Sequence, residues 1–211
     1  MISEKMLDSL REDISGKISA KRFFHTAEVE KMAAYLGELY APELIPELRA
    51  AALLHDITKE YPTALQLSIC RDEGIALEAD AVFAPKTLHA RTAAALIPKL
   101  YPEFATDTVI GCVRWHTTGR DGMTMAEKII YLADYIDMSR TFSDCVKLRE
   151  YFNSKDVRTM SEEEKDEHLS RTLVLSYDMT VRGLLDEGRP ISRDSIEARN
   201  ALIRELITKK T

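Results

Sequence analysis

Leu53-Leu54-His55-Asp56-Ile57-Thr58-Lys59-Glu60 sets an imidazole and a carboxylate side by side at the end of an apolar run. Leu48 and Ala52 precede His55 by seven and three residues, so His55 falls on the apolar stripe of a helix and Asp56 on the next face over. A carboxylate turned towards a core without a partner costs several kcal/mol. Something in the folded protein must compensate it.

The same anomaly recurs along the chain. His25 is in line with Val29, Met32 and Leu36; His89 with Ala93, Leu96 and Leu100; and His116 with Val109, Cys112 and Val113. Asp134 shares a stripe with Ile130. Six strong ligand types thus point from five helices towards one interior, and neutral imidazole with ionised carboxylate is what divalent cations bind. The expected metal ligands are His25, His55, Asp56, His89, His116 and Asp134. His168 follows an acidic run and sits off the Leu169/Leu173 stripe, so it is read as a surface residue.

Six ligands would saturate one ion and leave no position for water or substrate. Shared between two ions, with Asp56 as the bridge, they leave room for both. Two ions about 3.5–4 Å apart lower the pKa of a shared water and clamp the attacking and leaving oxygens of an in-line displacement. Hydrolysis at phosphorus is the reaction such a site serves best. A redox diiron centre of the ferritin kind would use mainly Glu and the Glu-x-x-His pattern, which these ligands lack.

Around this cluster the chain reads as all-α. Helical periodicity dominates and strand signals are nearly absent, with helices expected at about 2–17, 21–40, 46–59, 62–73, 87–99, 105–117, 125–139, 144–152, 161–187 and 195–208. Thr124-Met125-Ala126-Glu127 and Ser161-Glu162-Glu163-Glu164 both fit a capping box. The 211 residues, 45% apolar and 30% charged, suit one domain over 1–211: a metal-binding core at about 20–140 and closing helices at about 144–208. Cys70, Cys112 and Cys145 form neither a zinc knuckle nor a disulfide framework.

The net charge of −6 argues against long nucleic acid as the partner but leaves room for a small anion in a locally positive pocket. No apolar run reaches the ~18–20 residues of a membrane span. Met1-Ile2-Ser3-Glu4-Lys5 lacks the basic start and apolar stretch of a signal peptide, so a cytoplasmic location is expected. The amphipathic terminal helices are compatible with a homodimer.

His55-Asp56 with an upstream histidine and a downstream aspartate resembles the HD-domain metal-dependent phosphohydrolases. Arg22-Phe23-Phe24-His25, the His55-Asp56 block, Leu88-His89, His116-Thr117-Thr118-Gly119-Arg120-Asp121-Gly122-Met123 and Glu127-Lys128-Ile129-Ile130-Tyr131-Leu132-Ala133-Asp134-Tyr135-Ile136 look like the bacterial YqeK-type family within it. The resemblance implies an HD-domain helical bundle with a dinuclear metal site in its core. It implies two divalent ions, iron first, with manganese, cobalt or zinc compatible with the ligands. It also implies symmetrical cleavage of diadenosine tetraphosphate into two ADP. Asp137-Met138-Ser139-Arg140 stands where the family pattern has Glu-Pro before the next arginine. Other readings are an HD phosphohydrolase acting on a nucleoside monophosphate or a cyclic dinucleotide, and a non-enzymatic nucleotide-binding HD scaffold.

A polyphosphate needs cationic helpers. Arg120, in the loop Thr117-Thr118-Gly119-Arg120 after His116, is expected to grip phosphate oxygens while the loop's hydroxyls and amides approach them. Lys59, one turn after Asp56, either neutralises the attacked phosphate or pairs with Asp56. With Asp56 these two make the expected catalytic group. Arg22 and Lys86, each three residues before a histidine ligand, are further phosphate contacts, and Arg140 is a weaker one. Tyr135 and Trp115 adjoin ligands and could stack on a base. Asn200, read as sharing the last helix's stripe with Ile196, Ile203 and Ile207, either satisfies a buried backbone group or touches ligand.

Overall fold

The computed structural model of the protein describes residues 2–77 and 84–208. Its helices are α1 (Glu4–Lys17), α2 (Ala20–Tyr40), α3 (Ile45–Leu54), α4 (Thr63–Asp72), α5 (Leu88–Leu100), α6 (Asp107–Trp115), α7 (Met125–Ile136), α8 (Ser143–Asn153), α9 (Glu162–Asp186) and α10 (Arg193–Thr208). Among the described residues there is no strand, and no helix is long and apolar enough to cross a membrane.

Helix starts follow their capping chemistry. Thr124 and Ser161 each accept a backbone N–H three residues on, while Glu127 and Glu164 reach back to the cap N–H. Both are the capping boxes expected from the sequence. Ser3, Ser19 and Thr106 cap α1, α2 and α6 in the simpler way.

Packing is centred on α2, which lies against α3 and α7, while α6 joins α3, α5 and α7. Gly37 permits the close approach of α2 to α3, since a Cβ there would stand 2.9 Å from Ile45 Cγ1 and 3.0 Å from Leu48 Cδ1. Buried Glu30 of α2 accepts from Arg11 of α1 (2.7 and 3.0 Å) and from Arg49 of α3 (3.0 Å), tying three helices through one carboxylate. The main apolar core runs from Ile2 to Leu202 and includes the fully buried Val29, Leu36, Leu54, Val113 and Ile130, and a small second cluster joins Cys70 of α4 to Leu88 of α5. Helices α8, α9 and α10 pack in sequence on its outside, and Leu169, Leu173 and Tyr177 of α9 are buried as their spacing predicted.

Three helix readings shift in the structure. α3 and α6 stop at Leu54 and Trp115, so His55 and His116 are C-cap residues that open turns. α7 ends at Ile136, and a loop leads from there to α8. On α10 the buried face is Ala198, Leu202 and Leu206, so Asn200 is exposed, its side-chain oxygen accepting from Arg199 (3.4 Å). His168 is a correction. It is 3% exposed, its Nε2 is hydrogen-bonded to Phe152 O (2.9 Å), and it stacks on Tyr151 and Phe152, because α8 covers that side of α9.

Gly119 has φ +64°, and a Cβ there would collide with the Tyr177 hydroxyl and stand 3.0 Å from Ala198 Cβ and Met123 Sδ. Gly119→Ala should therefore combine left-handed strain with overpacking, about 3 kcal/mol in all, lowering the Tm by roughly 5–10 °C. Gly122→Ala, at φ +65° with nothing within 4 Å, carries only the strain and should lower it by less than half as much in the same thermal melt.

Candidate metal centre

All six ligand types meet in the interior. His25 comes from the first turns of α2, His55 and Asp56 from the end of α3, and His89 from the start of α5. His116 closes α6, and Asp134 stands two residues before the end of α7. The early ends of α3 and α6 serve the site. Each C-cap histidine sends Nδ1 to the carbonyl three residues back, His55 to Ala52 O (2.6 Å) and His116 to Val113 O (2.7 Å). That bond fixes the ring and leaves Nε2 pointing into the cluster as a lone-pair donor.

Asp56 divides the cluster. Its Oδ2 faces His55 Nε2 (3.4 Å) and His25 Nε2 (3.8 Å), and its Oδ1 faces His89 Nε2 (3.2 Å) and His116 Nε2 (3.8 Å). On the Oδ2 side, Asp134 Oδ1 lies 3.0 Å from His25 Nε2 and 3.8 Å from His55 Nε2. On the Oδ1 side the Nε2 atoms of His89 and His116 are 2.9 Å apart. Ligand atoms of His25, His55 and Asp134 fall within 4.8 Å of one another, as do those of His55, Asp56 and His116.

Several of these atoms are orphans. His25 Nε2, His55 Nε2 and Asp56 Oδ1 are buried with no hydrogen-bond partner among the described residues. Buried polar atoms are normally paired, and a group of them converging on one point is what a cation resolves. The charge states agree. Burial alone would raise the Asp56 carboxyl, but His55 and His89 hold it well below the usual carboxylate range. Burial likewise opposes Arg140, His25 and His55 at Asp134, and the three neighbours prevail. Burial pushes His116 far below the ordinary imidazole value and lowers His89. The set therefore suits a divalent cation.

Two residues outside the expected ligand set complete it. Ser139 Oγ lies 3.0 Å, and Asp137 Oδ2 3.4 Å, from His25 Nδ1. Asp137 is fully buried and also receives the Ser139 backbone N–H (2.8 Å) and hydroxyl. Arg149 of α8 donates to the carbonyls of Ile136 (2.7 Å), Asp137 and Arg140 (2.9 Å), clasping the whole loop. Burial lowers the His25 pKa, but the Asp134 carboxylate first and the Asp137 carboxylate second outweigh it and raise it to about 9. The departure at Asp137-Met138-Ser139-Arg140 is thus a second set of contacts on a ligand ring, the arrangement that commonly orients metal-bound histidines.

The charged helpers divide. Arg22 Nη1 donates to Asp56 Oδ2 (2.7 Å), Lys59 Nζ sits 3.1 Å from His89 Nε2 and 3.9 Å from Asp56 Oδ1, and Arg140 grips Asp134 through Oδ1 (2.5 Å) and the backbone carbonyl (2.9 Å). Thr117 Oγ1 reaches His89 Nε2 (3.2 Å). Lys86 and Tyr135 line the adjoining cleft. The rest of the expected loop turns away. Arg120 is committed to Glu127 (3.1 Å), because that buried capping carboxylate needs a counter-charge. Gly119 presses on Tyr177, and Thr118 is buried with its hydroxyl on Gly119 O (3.0 Å). Trp115 is flanked by Arg114 and Arg120 (ring distances 3.8 and 5.9 Å).

The HD-domain model matches residues 22–139, a span that includes all six expected ligands. The chain belongs to the HD-domain family. Along most of its length this HD-domain protein is similar to the symmetrical bis(5'-nucleosyl)-tetraphosphatase of Bacillus subtilis (strain 168), 27% identical over 191 residues, 90% of this chain and 94% of the relative. The enzyme of the same name from Halalkalibacterium halodurans is 28% identical over 188 residues, covering 89% and 92%. The crystal structure of a predicted HD superfamily hydrolase involved in NAD metabolism, from Clostridium acetobutylicum, superimposes with a TM-score of 0.80 at 30% identity, covering 94% and 97%. The protein is an HD-type hydrolase.

Asp137→Ala should lower metal affinity by about 10–100-fold, the usual cost of losing an outer partner of a ligand histidine, in a competition titration of the purified protein. Exhaustive chelation should lower the Tm of the wild type, since a cation that binds only the folded state stabilises it.

Proposed function

We propose that this chain is a metal-dependent phosphohydrolase that splits a dinucleoside tetraphosphate symmetrically, diadenosine tetraphosphate giving two ADP. The reaction class rests on one observation, the splitting of Asp56 so that each oxygen faces its own group of ligand atoms. Two divalent ions would be held there, one by His25, His55 and Asp134, the other by His89 and His116, with Asp56 available to both. Iron is the metal the family resemblance favours. The substrate is supported by the names of the two relatives above and of a third, from Staphylococcus aureus, 29% identical over 134 residues. We take the chain to act as a single domain, on a small dissolved nucleotide in the cytoplasm, with a homodimer as the assembly to test.

When bound, the two ions would supply an activated water at neutral pH and neutralise charge on the attacked phosphate. The chain's own groups do the rest. Lys59, whose pKa burial lowers, stands beside His89 and Asp56 and places an ammonium against the phosphate. Arg22 holds Asp56 and Arg140 holds Asp134, and Arg140 adds positive charge to the cleft lining. The part first expected of Arg120 passes to these two. Thr117 orients His89, and Lys86 sits at the rim, where it would meet the outer phosphates. The leaving nucleoside diphosphate is a weak base and needs no general acid.

The neighbour's link to NAD metabolism favours a second reading, in which the cleaved phosphate ester or anhydride belongs to another nucleotide. Product analysis separates the two. Metal-loaded protein with diadenosine tetraphosphate should give ADP alone, whereas ATP plus AMP, or no turnover, contradicts the proposed reaction. Lys59→Ala should cost about 10²-fold in kcat, the scale of one lost charge-stabilising donor. Arg120→Ala should lower thermal stability and leave turnover near the wild-type level.

A further inference from the structure

The cleft beside the metal centre, about 460 Å³, is larger than the reacting phosphates need and falls in the range of small-molecule sites. Its lining carries both signs of charge. Lys59, His116, Asp134 and Arg140 belong to the His/Asp cluster and line it together with Lys86, while Phe142, Asp144 and Glu187, from the start of α8 and the end of α9, line the end away from those contacts together with Tyr135. A polyphosphate is drawn to the first set and repelled by the second. What lies against the acids must therefore be the uncharged, donor-bearing part of the ligand.

The aromatics of that end are built for a flat group. Tyr135 is the outer member of a stack of three tyrosines, at 6.4 Å and 29° from Tyr131, which lies at 4.7 Å and 27° on Tyr177. Tyr177 is wedged by Gly119, and the Tyr135 hydroxyl meets Thr180 Oγ1 at 3.5 Å. The wall is thus rigid before any ligand arrives. Phe142, in the loop before α8, lines the same cleft and is 71% exposed. A large apolar ring left in water gains most from a flat partner of its own shape.

We propose that the Phe142 end of this cleft is a nucleobase subsite, with Phe142 as the stacking platform, Tyr135 as the fixed wall, and Asp144 and Glu187 accepting from the ring amine or sugar hydroxyls of one nucleoside. This rests on the reading of the cleft as a nucleotide site. It names which end holds the nucleoside and which residue recognises it. Base-on-aromatic stacking is sequence-tolerant, so the subsite accepts purines generally and leaves discrimination between them to the two acids.

The test is calorimetric binding of ADP and of pyrophosphate to the metal-loaded full chain, for wild type, Phe142→Ala and Phe142→Tyr. Pyrophosphate carries the phosphate part without the nucleoside. Phe142→Ala should weaken ADP binding about ten-fold, the usual scale for a lost base stack, and leave pyrophosphate binding unchanged. Phe142→Tyr should restore ADP binding. Equal loss for both ligands would mean that Phe142 only shapes the cleft, and loss for neither would put the base elsewhere; either result overturns the proposal. A Phe142→Ala protein that sediments as a smaller species and still binds ADP normally would make Phe142 a contact to a second copy, which overturns it too. Because no hydrolysis is read, wild type that binds ADP as described but leaves diadenosine tetraphosphate intact contradicts the proposed reaction and leaves the subsite standing.

Discussion

A carboxylate with 3% of its surface exposed stays ionised only if its surroundings provide what water would have provided. For Asp56 the surroundings are four imidazoles within 3.8 Å, a guanidinium at 2.7 Å and an ammonium at 3.9 Å. Much of the architecture can be traced to that requirement. Five helices bring their ends or first turns to one point, and the backbone there is shaped to hold rings rather than to prolong helices. His55 and His116 stop α3 and α6 so that Nδ1 can bond a carbonyl of the last turn and Nε2 can face the carboxylate.

The same economy extends one layer out. Each charged group near the centre has a second group that fixes it: Arg140 on Asp134, Arg22 on Asp56, Asp137 and Ser139 on His25, and Arg149 on the loop that carries Asp137. Fixed donors and acceptors are what a hydrolytic site needs, because they require no reorganisation when charge develops on the substrate. The Tyr135–Tyr131–Tyr177 stack extends this rigidity from the centre to the cleft wall.

Much of this was legible in the sequence, for a physical reason. A histidine on an apolar stripe is a local contradiction that needs no tertiary information to detect, and four of them, with Asp56 and Asp134, outlined the cluster that the fold brings together. Capping boxes are equally local, and both formed. What escaped were relations between distant segments. Arg120 lies close to His116 in sequence, yet its partner is Glu127, whose burial no spacing disclosed. His168 is buried because α8 covers it, a fact of packing. Asp137 and Ser139 departed from the family pattern, and only the fold shows them meeting His25 Nδ1. On α10 the isoleucines suggested one face, and the packing buries the neighbouring one, with Ala198, Leu202 and Leu206.

If His25, His55, Asp56, His89, His116 and Asp134 hold two ions, anomalous diffraction from crystals of the metal-loaded protein, recorded on either side of the metal's absorption edge, will locate both. Two peaks are expected, one bounded by His25, His55 and Asp134, the other by His89 and His116, both beside Asp56. A single peak at full metal loading, or a second peak away from His89 and His116, would contradict the two-ion assignment.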